Sequence, residues 1–269
     1  MLADSHTHSV YSFDGHATVF EMCAAAAERG VTSLSVTDHY DIDGVLDGFF
    51  PDYDDAAARR DIEAAARQFA AQVELVRGIE LGQPNLCPDE ARAFLRRHAF
   101  DFVIGSCHNL PGVPDFYFMN FTEMPEPLMA DLFRRSLRQL TDTARFSGIH
   151  TIAHPLYPTR YMARGGRSVC LSDFEEDFRA LFYVMRENGL AMETNLKGIR
   201  AGELKWEQEE YILRLWYDCG GRRVTCGTDA HRTQEIGVGL EEAYRHLRAA
   251  GFSSVCVPGT GGLSERPLP

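Results

Sequence analysis

Asp4-Ser5-His6-Thr7-His8 closes the first apolar run of the chain, and the fold turns on how it is read. In a strand, residues two apart face the same way. His6 and His8 therefore form one gripping pair, with Asp4 on the same face. The reading extends outward because later apolar runs end alike. Asp38-His39 follows the second run, Glu80 ends the third, His108 the fourth and His154 the fifth, and Asp229-Ala230-His231 follows the seventh. Of the ten histidines, only His98, His150 and His246 lie away from such ends and the loops after them.

Between these runs lie helix-period segments. Strands are expected at 2–8, 32–37, 73–80, 102–107, 151–153, 190–194, 224–227 and 254–257. Helices are expected at 19–29, 54–71, 89–97, 127–147, 174–188, 206–219 and 240–250. Strands alternating with helices imply a parallel sheet. Seven or eight such units in 269 residues favour one closed α/β barrel of TIM-like type over an open sheet. Residues 1–257 form this single domain, and the Gly- and Pro-bearing stretch 258–269 is expected to be a mobile tail. Strand ends distant in sequence meet around a barrel mouth. The loops 40–53 and 109–126, acidic and aromatic respectively, are placed to shape a pocket there.

Composition narrows the function. The formal charge is −12, from 27 basic and 39 acidic residues, so no basic face for nucleic acid is expected. A small anionic substrate stays open, because bound metals reverse a local field. Seven cysteines at irregular spacing with no CxxC read as free thiols rather than a zinc site. No apolar run spans a membrane, and Met1–His6 has neither a basic segment nor an apolar core. A cytoplasmic protein without a leader is the expectation. Oligomeric state is not legible.

Each piece has a bland reading. An HxH is common, a lone His-Pro such as His154-Pro155 means little, and Glu80 alone means almost nothing. His98, His150 and His246 read as surface or packing residues, and Cys107, facing away from His108, as packing. The joint pattern points to a metal-dependent hydrolytic centre. Asp4 and Asp38 are placed to orient ligands from behind.

The ordered motifs Asp4-Ser5-His6-Thr7-His8, Ser12-Phe13-Asp14-Gly15, Thr37-Asp38-His39, Gly78-Ile79-Glu80, Gly105-Ser106-Cys107-His108, Ala153-His154-Pro155 and Thr228-Asp229-Ala230-His231 resemble the polymerase-and-histidinol-phosphatase (PHP) superfamily. The resemblance implies a distorted (β/α)7 barrel holding two or three divalent metal ions (zinc, manganese or iron). Carried over, His6, His8, Glu80 and Asp229 hold one metal, and Glu80, His108 and His154 a second, with Glu80 bridging. His39 and His231 hold a third, with Asp14 favoured as its further ligand and His16 as the alternative. The segment before His108 is similar to that of the histidinol-phosphatase branch, as is Glu193-Thr194-Asn195-Leu196-Lys197-Gly198-Ile199-Arg200. Arg160, Arg200, Asn195 and Lys197 are thereby implied as substrate-binding, although Lys197 replaces a small residue usual in the branch.

The implied reaction is hydrolysis of L-histidinol phosphate to L-histidinol and inorganic phosphate, a step of histidine biosynthesis. A hydroxide bridging paired metals is the implied nucleophile. Glu80, Asp229 and His231 are the candidate catalytic residues, and His231, Asp229 or a metal-bound water is the candidate proton donor to the leaving group. Three alternatives stand beside it: a phosphoesterase acting on a nucleotide or other small ester, a metal-dependent amidohydrolase, and a non-catalytic binding module. The amidohydrolase would typically need a metal-ligating lysine on a central strand, which the sequence does not offer.

Overall fold

The computed structural model describes residues 1–269. Seven parallel strands form the barrel: β1 (Leu2–Thr7), β2 (Val31–Val36), β4 (Glu74–Gly82), β5 (Phe102–Ser106), β6 (Thr151–Ile152), β7 (Ala191–Asn195) and β8 (Val224–Gly227). The sheet closes through a parallel bridge between Thr7 and Ala230, where His8 N donates to Ala230 O at 2.8 Å. The expected seven-stranded α/β barrel is therefore present.

An eighth short strand, β3 (His39–Asp41), lies outside those expected. It continues the line of β2 and pairs with the upper half of β4, setting His39 opposite Glu80. Nine-residue β4 serves both neighbours: Glu74 to Arg77 pair with β2, and Glu80 to Gly82 with β3. Three polar or charged residues are too few to show a strand period, so sequence alone does not reveal it.

Helices form where capping and amphipathicity agree. α1 (Val19–Glu28) opens with a Thr18–Glu21 capping box. α3 (Asp55–Phe69) is capped by Asp54, which accepts from Ala57 N at 3.0 Å, and buries Ala58, Ile62 and Ala65. α5 (Glu126–Thr143), α7 (Glu175–Glu187), α9 (Trp206–Asp218) and α10 (Leu240–Ala249) turn their apolar faces to one core of 64 residues. No helix is long and apolar enough to cross a membrane.

The C-terminal stretch differs from expectation. In place of a mobile tail, β10 (Gly262–Pro267) pairs antiparallel with β9 (Ser254–Gly259). The turn passes through Gly261 and Gly262 at φ +97° and +107°, where a side chain is strained. Leu263 packs against Val76, Phe102, Ile104 and Ala153. Gly259 approaches Glu74, the first residue of β4. The hairpin thus covers the end of the barrel opposite the strand-end histidines.

Candidate metal centre

Glu80, almost fully buried at the upper end of β4, is the hub. Its Oε1 lies 2.9 Å from His154 Nε2 and 3.1 Å from His108 Nε2. Its Oε2 lies 3.0 Å from His6 Nε2, 3.1 Å from His39 Nδ1 and 3.5 Å from His8 Nε2. Five imidazoles thus converge on one carboxylate. Asp229 Oδ1 stands 3.4 Å from His8 Nε2 and 3.4 Å from His231 Nδ1. His231 Nε2 is 2.9 Å from Asp14 Oδ2, and His39 Nε2 is 3.7 Å from Asp14 Oδ1.

Potential ligand atoms gather in five sets. His6, His8 and Glu80 form one, Glu80, His108 and His154 a second, and His8, His39 and His231 a third; Glu193 joins His6 and His154 in a fourth, and Asp41 joins His39 and His108 in a fifth. Glu80 belongs to two of them, as a bridging carboxylate must. Asp14 reaches the third set. Exposed His16 lines the same cavity, but its side chain joins none of these sets, and its backbone N–H donates to His231 O.

The donor set fits divalent cations. His8 Nε2 and His39 Nδ1 are buried and face Glu80 without a hydrogen bond, and Asp14 Oδ1 is likewise orphaned. Buried polar atoms are normally partnered. Lone pairs converging on a shared space, with carboxylates among them, suit a cation.

Electrostatics follow from this crowding. Burial disfavours charge on Glu80, but His6, His39 and His108 outweigh it and hold the carboxyl well below the usual carboxylate range. Burial also opposes charge on Asp229, and Lys197 and His6 prevail in the same direction. His8 moves the other way: burial, then the nearby His39 and His231, push it well below an ordinary histidine.

Behind the histidines stand groups that aim them. His6 Nδ1 faces Glu193 Oε1 at 2.6 Å, and His108 Nδ1 faces Asp41 Oδ1 at 2.6 Å. Ser12 Oγ lies 3.1 Å from His8 Nδ1 and is held in turn by Asp38 at 3.1 Å. Asp38 thus orients a ligand at one remove. Asp4 does not: it accepts from Thr228 N, Thr228 Oγ1 and Gly237 N, and so ties β1 to the loop that presents Asp229. Sequence reading missed Glu193 and Asp41. Their one visible signal was a charge inside or beside a strand end.

Backbone strain concentrates here. His154 at φ +25° and Asp229 at φ +51° are two of the three non-glycine residues with positive φ. Each such residue costs on the order of 1–3 kcal/mol. Asp229 N donating to His6 O at 2.8 Å and His154 N donating to Glu193 Oε2 at 2.9 Å offset that cost. Gly227 leaves the needed room, since a Cβ there would collide with the His6 side chain and come within 2.6 Å of Glu193 Oε1.

His39, His108, His154, Asp229 and His231 line a cavity of about 400 Å³. Arg160 and Lys197 line it too, as does Arg164, which the sequence reading did not name. Arg160 sits in the short helix α6 (Tyr157–Arg164), also unexpected from sequence. Its Nε and Nη2 bond Glu203 Oε2 at 2.8 Å. Lys197 Nζ lies 3.0 Å from Asp229 Oδ1. Asn195 stays beneath, its Nδ2 donating to Glu193 and Asp229. Arg200 points elsewhere: Nη1 donates to Thr228 O at 2.9 Å, Nη2 is 3.6 Å from Glu235, and it does not line the cavity. His98 Nδ1 lies 3.0 Å from Asp55 Oδ2, His150 Nδ1 accepts from Val103 N, and His246 Nδ1 lies 2.7 Å from Glu210 Oε1, all away from the cavity.

The PHP domain model matches residues 4–197, well over half of the chain. The chain belongs to the PHP domain family. It is 27% identical over 267 residues to the "Probable histidinol-phosphatase" of Thermotoga maritima, covering 96% of both chains. It is 24% identical over 265 residues to the "Histidinol-phosphatase" of Lactococcus lactis, covering 93% of this chain and 91% of that one. The crystal structure of the Lactococcus lactis histidinol phosphate phosphatase, complexed with zinc, L-histidinol and phosphate, superposes with a TM-score of 0.80 at 18% identity over 98% of each chain. That likeness establishes the shared PHP barrel.

Proposed function

We propose that this chain is a metal-dependent phosphomonoesterase that hydrolyses L-histidinol phosphate to L-histidinol and inorganic phosphate. One observation carries the choice of a phosphate ester. Arg160 Nη1 is buried without a partner, and Arg160 lines the cavity of the clustered histidines. An unsatisfied guanidinium donor beside a candidate metal centre calls for an anion with several oxygens. The relatives named histidinol-phosphatase supply the leaving group.

His6, His8, Glu80 and Asp229 would hold one ion, and Glu80, His108 and His154 a second. His39, His231 and Asp14 would hold a third. When bound, such ions (zinc, manganese or iron with this donor set) activate water and neutralise charge on the phosphoryl group. Arg160 binds the phosphoryl oxygens while Glu203 holds the rest of its guanidinium. Lys197 adds a second positive charge. The proton for the departing alkoxide would come from His231 or from water, while Asp229, held ionised beside Lys197 Nζ, would position the attacking water.

The test is a panel of L-histidinol phosphate, nucleoside monophosphates, an aryl phosphate and amide substrates, with elemental analysis of the purified protein. The highest kcat/KM is expected on L-histidinol phosphate. Glu80→Gln is expected to lose bound metal and turnover while retaining its circular dichroism. Normal phosphate release by Glu80→Gln refutes the metal assignment, and a preference for nucleotides replaces the substrate.

A further inference from the structure

The cavity of the clustered histidines has an acidic side lobe. A second cavity, of about 420 Å³, adjoins the first, and Phe50, Asp115 and Phe118 line both. Arg160, Arg164, Lys197 and Arg232 line the metal end. The lobe is lined by Asp41, Asp43, Asp47 and Asp115 and has no basic side chain. Asp14, Asp115 and Asp229 line the metal end as well, so a molecule bridging the two meets all the cations at one end and carboxylates alone at the other.

The carboxylates of the lobe are not equivalent. Asp41 Oδ1 is engaged by His108, while its buried Oδ2 lacks a hydrogen bond. Asp43 accepts from Gln83 and Asn109. Asp115 uses Oδ1 alone, accepting from Tyr117 N at 2.8 Å and from Tyr157 OH at 3.0 Å. The protein makes no hydrogen bond to its Oδ2. The Tyr157 ring sits 4.9 Å from that of His108 and 5.1 Å from that of His154. Asp115 thus stands one tyrosine away from the clustered histidines.

The walls are aromatic. Phe50 stacks on Phe13 at 4.0 Å, and Phe49 meets Phe118 edge-on at 6.1 Å. Phe49 and Phe118 are largely exposed, at 68% and 59%. Exposed rings beside carboxylates match a ligand with a flat body and a positive charge.

We infer that this lobe receives the leaving group of the ester, and that Asp115 selects a leaving group carrying a cationic nitrogen beside a planar ring. The inference rests on the phosphomonoesterase reading above and adds the residues that set its specificity. Charge at one end and at the other would hold the ester bond over the metal centre.

Product inhibition separates the two ends, because L-histidinol probes the lobe and inorganic phosphate probes the metal end. Asp115→Asn keeps an oxygen for Tyr117 N and Tyr157 OH but removes the charge. It is expected to raise the inhibition constant of L-histidinol about 10-fold or more, while that of phosphate moves less than about 2-fold. Phe118→Ala, at an exposed position, guards against misfolding and is expected to weaken L-histidinol about 3- to 10-fold. Unchanged L-histidinol inhibition in both variants, or equal weakening of both probes, overturns the inference. Should the wild type spare L-histidinol phosphate yet hydrolyse aminoalkyl phosphates faster than uncharged alkyl phosphates of equal length, and Asp115→Asn lose that preference, the Asp115 assignment stands and the named substrate falls. Equal rates on those two ester classes overturn the assignment itself.

Discussion

Glu193 Oε1 lies 2.6 Å from His6 Nδ1, while Nε2 of the same ring faces Glu80 Oε2 at 3.0 Å. One imidazole thus links a carboxylate in the cluster to one beneath it. An acceptor at Nδ1 fixes the tautomer that leaves Nε2 free as a ligand and raises its basicity. The other Glu193 oxygen accepts from His154 N, so one side chain positions residues of both Glu80-bridged sets.

Glu193→Gln is accordingly expected to weaken metal binding about 10- to 100-fold, the usual cost of losing such a partner. A competition titration with a chromophoric chelator measures it directly. Wild-type affinity in this variant would reduce Glu193 to a packing role.

The clustered histidines were legible because a barrel converts distance in sequence into proximity. His6, His108 and His154 each end a recognisable strand, and the alternation of strand and helix was enough to gather them. Glu193 and Asp41 were not legible as partners. Nothing in Ala191-Met192-Glu193 says that its carboxyl turns beneath His6 rather than into solvent, since that depends on Gly227 clearing the space. Arg200 shows the opposite case. Its motif resembles the family's, but its Nη1 donates to Thr228 O, its Nη2 lies 3.6 Å from Glu235, and it does not line the cavity. The C-terminal hairpin was hidden because glycines and prolines were weighed by number, whereas the alternating Leu263 is what anchors it.

The two arginines therefore separate in experiment. Arg160→Ala removes the buried, unpartnered donor proposed to bind the phosphoryl group and is expected to raise KM about 10- to 100-fold, the range of a charged hydrogen bond. Arg200→Ala removes contacts that brace the loop carrying Asp229, so its loss is expected in kcat and thermal stability, with the phosphate inhibition constant little changed. Steady-state kinetics with phosphate as inhibitor distinguishes them. A large rise in the phosphate inhibition constant for Arg200→Ala would restore it to the phosphate site.

A buried carboxyl outside the ligand sets gives a pH signature of its own. Glu209, on α9, is 2% exposed, and its Oε2 has no hydrogen-bond partner. Burial, with a smaller contribution from the nearby Glu193, pushes it up to about 8. The unfolded chain releases this proton near the ordinary glutamate value, about 4.3. Between those limits the folded protein keeps a proton that the unfolded chain has lost, so stability declines as pH rises and levels off above about 8. Holding that proton across one pH unit costs about 1.4 kcal/mol, so the full effect is at most about 5 kcal/mol. Glu209→Gln is neutral throughout and lacks this slope. Its melting temperature should gain on the wild type between about pH 5 and pH 8.5, in metal-saturated protein monitored by circular dichroism. A gap that stays constant across that range would mean that Glu209 is charged in the folded protein, held by a partner that burial alone does not supply.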